Sequence, residues 1–64
     1  MELIEARKAA SYTQAQAAER LGISRPTYRH MEAFPDSVSV EDAKRIAKLF
    51  SVSVEEIFFS DNDS

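Results

Sequence analysis

A single glycine, Gly22, lies between two short helical patterns and constrains the fold more than any other feature of the chain. The pattern before it opens with Thr13 and Gln16, a capping-box pair in which each residue's side chain bonds the other's backbone amide. Glycine takes the left-handed conformation that ends helices without a Cβ penalty. We therefore expect a helix from Gln14 that ends at Gly22, followed by a tight turn.

The segment after the turn predicts a second helix that is fixed to the first. Ser24 is expected to cap it, with Pro26 in the first turn, where a missing N–H has no helical partner. Because Pro26 has no donor, the Ser24 hydroxyl should accept from the Thr27 amide, and the helix should run to about Ala33. Its inner side has apolar residues at helical spacing: Ile23, Tyr28 and Met31. Its outer side gathers polar ones: Arg25, Thr27, Arg29 and His30.

The rest of the chain is also predicted to be helical, because the whole sequence has only one glycine and two prolines and its β-branched residues fall at short junctions. A first helix is expected over residues 2–10, and Phe34-Pro35 should be non-helical. A fourth helix is expected over residues 40–50 and a short fifth helix from Val54. The apolar stripe of the fourth helix is predicted to be Val40, Ala43, Ile46, Ala47 and Phe50. The fold class is therefore all-α, with five helices.

Composition excludes several classes of protein. With no cysteine and one histidine, the chain lacks the ligands of a zinc centre. It has neither the roughly 18 apolar residues of a membrane span nor a basic, apolar leader, so a soluble cytoplasmic protein is expected. Glu55 and Glu56 diverge as helix neighbours and His30 has no nucleophile to activate. We expect no enzyme, no cofactor and no small-molecule partner.

The net charge of −3 argues against nucleic-acid binding until its distribution is considered. Four acids and no base occur in the last ten residues, which leaves eight bases against seven acids over residues 1–54. We expect one domain over residues 1–59 and an acidic, disordered tail over residues 60–64.

The run TQAQAAERLGISRPTYRHMEA, followed at a matching distance by IAKLFSVSVEEIF, resembles the helix-turn-helix domain of the Cro/CI phage-repressor (XRE-type) family. The resemblance extends without a gap from Leu3 to Phe58. It implies a compact lambda-repressor-like domain of five helices. It also implies a sequence-specific, repressor-like regulator of phage or bacterial type, whose third helix reads operator DNA as a homodimer.

The resemblance also implies roles for individual residues. Those implied to contact bases are Arg25, Pro26, Thr27, Arg29 and His30. Those implied to contact phosphates, at the positive end of the second helix, are Gln14, Gln16 and Arg7. Arg7 and Glu32 are implied to form a structural pair between helices. For Arg25, Arg29 and His30 the alternative is an ordinary solvated helix face.

Two departures from the family pattern predict weaker or narrower DNA binding. Relatives commonly have Asn-Gly and then basic residues after the third helix, where this chain has Ala33-Phe34-Pro35-Asp36, and Asp36 would repel phosphates. Pro26 occupies a position where relatives often carry a side chain that hydrogen-bonds a base, so it offers only apolar contact.

A second functional hypothesis is a protein-binding helix-turn-helix module, antirepressor-like or antitoxin-like, with weak or no DNA binding. It rests on the acidity, the missing basic loop and Phe59, which should be exposed because its neighbour Phe58 turns into the core. Ile57 and Phe59 are also candidates for a dimer contact, the alternative being a lid over the small core.

Overall fold

The computed structural model describes residues 2–58, in which five α-helices and one short 3₁₀ turn enclose a single core. The helices are α1 (Leu3–Ala9), α2 (Gln14–Leu21), α3 (Arg25–Ala33), α4 (Val40–Phe50) and α5 (Val54–Phe58), and the 3₁₀ turn is Pro35–Ser37. The described residues contain no strand, and the expected all-α, five-helix architecture is confirmed. Phe59 and the expected acidic tail lie outside the described residues.

Side-chain caps start α2 and α3 at the predicted positions. Thr13 Oγ1 accepts from the Gln16 amide at 3.0 Å, and the Thr13 amide donates to Gln16 Oε1 at 2.9 Å. Ser24 Oγ accepts from the Thr27 amide at 3.2 Å, as expected for a helix with proline in its first turn. Each such cap contributes about 1 kcal/mol of stability, so the start of both helices is set locally.

Within residues 2–58, three helices are followed by a residue in the left-handed conformation: Ser11, at φ 66°, after α1, and Gly22 and Ser51 after α2 and α4. Gly22, at φ 72°, ends α2, and the amide of Ile23 donates to the Ala18 carbonyl at 3.0 Å. Ser51, at φ 61°, ends α4 in the same way, although a serine gives no sequence signal for this conformation. Arg45 Nη2 donates to the Leu21 carbonyl and thereby ties the end of α2 to α4.

The core is formed where one face of each helix turns inward, and Tyr28 and Ile46 are its most completely buried large side chains. The prediction that Val40 belongs to the apolar stripe of α4 is wrong, because Val40 is 63% exposed. Val40 is the first residue of the helix and lies at the edge of the stripe, so no neighbouring helix covers it. The other four members are buried: Ala43, Ile46, Ala47 and Phe50.

Candidate nucleic-acid interface

Helices α2 and α3 pack directly against each other. The turn between them consists of Gly22, Ile23 and Ser24. Ala17 and Ala18 are 0% and 2% exposed, and their small side chains let α3 approach α2 closely. The Gly22 turn and the Ser24 cap therefore fix the direction of α3 relative to α2.

The outward side of α3 carries the polar residues that the sequence placed there. Tyr28 and Met31 anchor the helix in the core at 0% and 9% exposure. Five residues of the opposite side are exposed: Arg25, Pro26, Thr27, Arg29 and His30. The Ser24 hydroxyl lies 2.8 Å from Thr27 Oγ1, and the His30 ring packs on the Phe34 ring at a centroid distance of 4.8 Å. The surface thus combines a hydroxyl and an imidazole with two guanidinium groups that have no hydrogen-bond partner within residues 2–58.

The N-terminus of α2 opens into a shallow groove with donor groups around it. The amides of Gln16 and Ala17 are bonded to Thr13, which leaves the Gln14 and Ala15 amides without an acceptor within residues 2–58. The positive end of the helix dipole adds to these two donors. The groove is lined by Arg7, Tyr12, Thr13, Gln14, Ala15 and Arg25. Its chemistry suits an anion with several oxygen atoms, such as a phosphate.

A buried polar network connects residues that line this groove. Arg7 Nε lies 2.6 Å from Glu32 Oε2, with the two side chains 11% and 3% exposed, and Arg7 Nη1 donates to the Tyr12 carbonyl at 2.9 Å. Gln14 Nε2 donates to the other carboxylate oxygen, Glu32 Oε1, at 2.8 Å. One carboxylate therefore joins α1, the first residue of α2 and the end of α3.

The network keeps Glu32 ionised. Burial alone raises the pKa of the Glu32 carboxyl, but the hydrogen bonds from Arg7 and Gln14 outweigh this and hold its pKa below the ordinary value of 4.5. Burial raises the pKa of the nearby Tyr28 phenol, and the approach of its hydroxyl to the Glu32 carboxylate raises that pKa further. The Tyr28 hydroxyl is fully buried beside this pair without a hydrogen bond of good geometry within the described residues. At neutral pH Glu32 is thus a carboxylate that only accepts hydrogen bonds.

Comparison with known families agrees with this arrangement. A family model described as helix-turn-helix matches residues 3–57, which include all five helices except the last residue of α5. The chain belongs to the Cro/CI-type helix-turn-helix family. Comparison with curated proteins and with solved structures gave no significant match. The family is one of DNA-binding regulators and is typically not enzymatic.

As a member of this family, the chain has its helix-turn-helix in α2, the Gly22 turn and α3. No helix in the described part of the chain is long and apolar enough to cross a membrane. Over the same residues, no three or more His, Cys, Asp or Glu side chains are grouped so that they could hold a metal ion.

The side chains expected at phosphates are more constrained than the family pattern indicates. Gln16 is exposed, but its carbonyl oxygen is engaged in the capping box, so only its amide nitrogen is free to donate. Arg7 uses two of its nitrogens within the protein, and its side chain is 11% exposed where it lines the groove. Gln14 is tied to Glu32, a bond between residues 18 positions apart for which the sequence gives no signal.

One of the two candidate dimer contacts, Ile57, needs correction, and the other is not tested. Ile57 is 8% exposed and belongs to the core, so its side chain is not available to a second copy, and Phe59 lies outside the described residues. The large apolar side chains that the described residues do expose are Ile4 at 39%, Phe34 at 57% and Val40 at 63%. Phe34 directly follows α3 and Val40 starts α4, so both lie at the connection between these helices.

Proposed function

We propose that this helix-turn-helix protein is a sequence-specific, repressor-like transcriptional regulator whose α3 reads operator DNA in the major groove. The observation that carries this is the exposure of Arg25, Thr27 and Arg29 on a helix held by the buried Tyr28. An α-helix fits the major groove, and arginine is the commonest bidentate partner of guanine O6 and N7. Pro26 adds apolar contact with a thymine methyl, and His30 offers a nitrogen to a base or phosphate.

The groove at the N-terminus of α2 has the role of setting the register on DNA in this proposal. A backbone phosphate there accepts hydrogen bonds from the Gln14 and Ala15 amides, while Arg7 and Arg25 supply charge. Such contacts carry no sequence information, but they fix where α3 enters the groove. In this proposal the groove at the start of α2 positions the protein on DNA, and α3 contacts the bases.

Two copies acting together on DNA are part of the proposal. One copy of a small domain contacts only a few base pairs. Two copies place their reading helices in successive major grooves, about one helical turn apart, and together recognise a longer DNA site. The exposed Val40 lines a groove together with Pro35, Asp36, Val38, Ala43 and Phe58, and the exposed Phe34 directly precedes Pro35. The apolar side chains of this surface suit contact with a second copy better than contact with water. This surface takes the place of Ile57 in the dimer hypothesis.

A second candidate function is a helix-turn-helix module that binds a protein partner, and the same observations favour it. Phe34 and Val40 are exposed, and Asp36 lies between them on the 3₁₀ turn, where a DNA-binding relative carries positive charge. In that case α3 would serve as a scaffold rather than as a reading helix.

The salt dependence of binding distinguishes the two functions. For duplex DNA, the affinity should fall by at least about tenfold between roughly 50 and 200 mM salt, because neutralised phosphates release counterions. The double variant Arg25→Ala, Arg29→Ala should bind more weakly with a shallower slope. The double variant Lys8→Ala, Lys44→Ala removes the same charge from exposed positions outside the site and should bind nearly as the native chain does. A flat salt response would favour the protein-binding module. An equal loss in both variants would mean that net charge alone sets the affinity for DNA, and would contradict sequence reading by Arg25 and Arg29.

A further inference from the structure

We propose that Glu32 is a positioning residue for DNA, which fixes the orientation of the Gln14 carboxamide at the phosphate groove and leaves its second N–H available to a phosphate. The inference rests on the proposed function, since it assigns the side chain that presents Gln14 to a phosphate. It starts from two facts: Gln14 lines the groove, and its Nε2 donates to Glu32 Oε1 at 2.8 Å.

The chemistry of a primary amide makes its orientation matter. The Gln14 carboxamide has an acceptor end and a donor end, and a free side chain can present either. A phosphate is attracted to the N–H groups and repelled by the carbonyl oxygen. Because the nitrogen carries two N–H groups, one can donate to Glu32 while the second remains available to an anion in the groove.

Glu32 is suited to select this orientation. As a buried, ionised carboxylate it accepts hydrogen bonds and donates none, so only the nitrogen end of Gln14 is favourable against it. Its negative charge is balanced by Arg7 at 2.6 Å, which limits repulsion of a nearby phosphate. Both oxygens of Glu32 thus hold donors that line the same groove, one neutral and one charged.

Preorganisation gives this arrangement an effect on affinity. A glutamine side chain that is unrestrained in the folded protein loses rotamer freedom when it binds a phosphate. A side chain that is already fixed in the binding orientation loses less. The contribution of Gln14 to binding should therefore depend on the residue at position 32. A glutamine at position 32 has both a donor and an acceptor end, so it would accommodate either orientation of Gln14.

The experiment is a mutant cycle on duplex DNA, combined with a neutral methylphosphonate placed at each phosphate in turn. In the native background, Gln14→Ala should lower the affinity about tenfold, and a methylphosphonate at one phosphate should abolish that loss. In the Glu32→Gln background the same Gln14→Ala change should cost about twofold or less. The exposed Glu19→Gln background is the matched control and should retain the full tenfold cost.

An equal cost of Gln14→Ala in all three backgrounds would overturn the proposal. If Glu32→Gln does not fold, NMR of the native chain decides: one Gln14 side-chain proton should be shifted by the carboxylate without DNA, and the other should move when duplex is added. If both side-chain amide protons of Gln14 have the chemical shifts of a solvent-exposed glutamine in the absence of DNA, the proposal would also be overturned. If the native chain binds no DNA at all, the proposed function fails instead, and the spectrum without DNA still reports whether Glu32 orients Gln14.

Discussion

Arg7 Nε and Glu32 Oε2 lie 2.6 Å apart although the residues are separated by 25 positions in the chain. The pair joins the first helix to the end of the third, and neither side chain is more than 11% exposed. Since Gln14 bonds the same carboxylate, the pair also supports the groove at the start of α2. Stability and the geometry of the proposed DNA-binding surface therefore depend on the same few atoms.

Removing one partner of this pair should be costly. Arg7→Met leaves Glu32 ionised and buried without its counter-charge, and we expect a loss of about 3 kcal/mol in the free energy of unfolding, measured with urea. Adding Glu32→Leu removes the stranded charge and should recover part of the loss. Lys8→Met, on the exposed neighbouring residue, should change stability by less than about 0.5 kcal/mol. A cost for Arg7→Met as small as for Lys8→Met would contradict a buried pair.

The stability of the fold should decrease in acid partly through Glu32. Its pKa in the folded state is below the ordinary value of 4.5, so the stability it contributes is fully present above that value. This contribution should be lost as the pH falls from about 4.5 through the lower pKa of the folded state. Urea titrations from pH 7 to pH 2 should show a smaller acid loss in the Arg7→Met, Glu32→Leu variant. Identical pH profiles for this variant and the native chain would disprove the assignment.

Removal of the Tyr28 hydroxyl should not destabilise the protein. The hydroxyl is buried without a hydrogen-bond partner of good geometry within residues 2–58, and an unsatisfied buried group costs roughly 1 kcal/mol or more. Tyr28→Phe keeps the ring and should leave the urea midpoint unchanged or raise it. Tyr28→Leu, which also loses ring volume, should lower it. A loss above about 1 kcal/mol for Tyr28→Phe would indicate that the hydroxyl bonds the Glu32 network.

Asp36 should weaken DNA binding in its present form. It is exposed on the 3₁₀ turn that follows α3, the proposed reading helix, and its negative charge would repel a phosphate placed nearby. Asp36→Lys should raise the affinity for duplex DNA several-fold at low salt and steepen the salt dependence by about one phosphate contact. Glu55→Lys makes the same charge change on α5 and should have a smaller effect. Equal gains from both variants would mean that only the net charge matters.

Much of the fold could be predicted because its signals are local. The caps at Thr13 and Ser24 are hydrogen bonds between residues three positions apart. The turn at Gly22 is predicted because glycine is the residue type that most often ends a helix. The periodicity of α3 also separates the buried Tyr28 and Met31 from the exposed polar face correctly. These features were enough to recognise the family, which the match over residues 3–57 confirms.

The features that the sequence did not reveal are mostly long-range. The bond from Gln14 to Glu32 and the bond from Arg45 to the Leu21 carbonyl span 18 and 24 positions, so no local pattern encodes them. The burial of Ile57 depends on how α5 packs against α1 and α4, which helical periodicity alone does not determine. The roles of individual residues on DNA stay predictions, because they depend on the geometry of a complex between the protein and DNA.

The central claim is that α3 reads a DNA sequence through Arg25 and Arg29. The most direct measurement is selection of bound duplexes from a random library at low salt, with the native chain and the Arg25→Ala, Arg29→Ala variant in parallel. Our account predicts that the native chain enriches a palindrome with half-sites about one helical turn apart, and that the variant does not. Enrichment of the same sequence by both proteins, or of none by either, would contradict it.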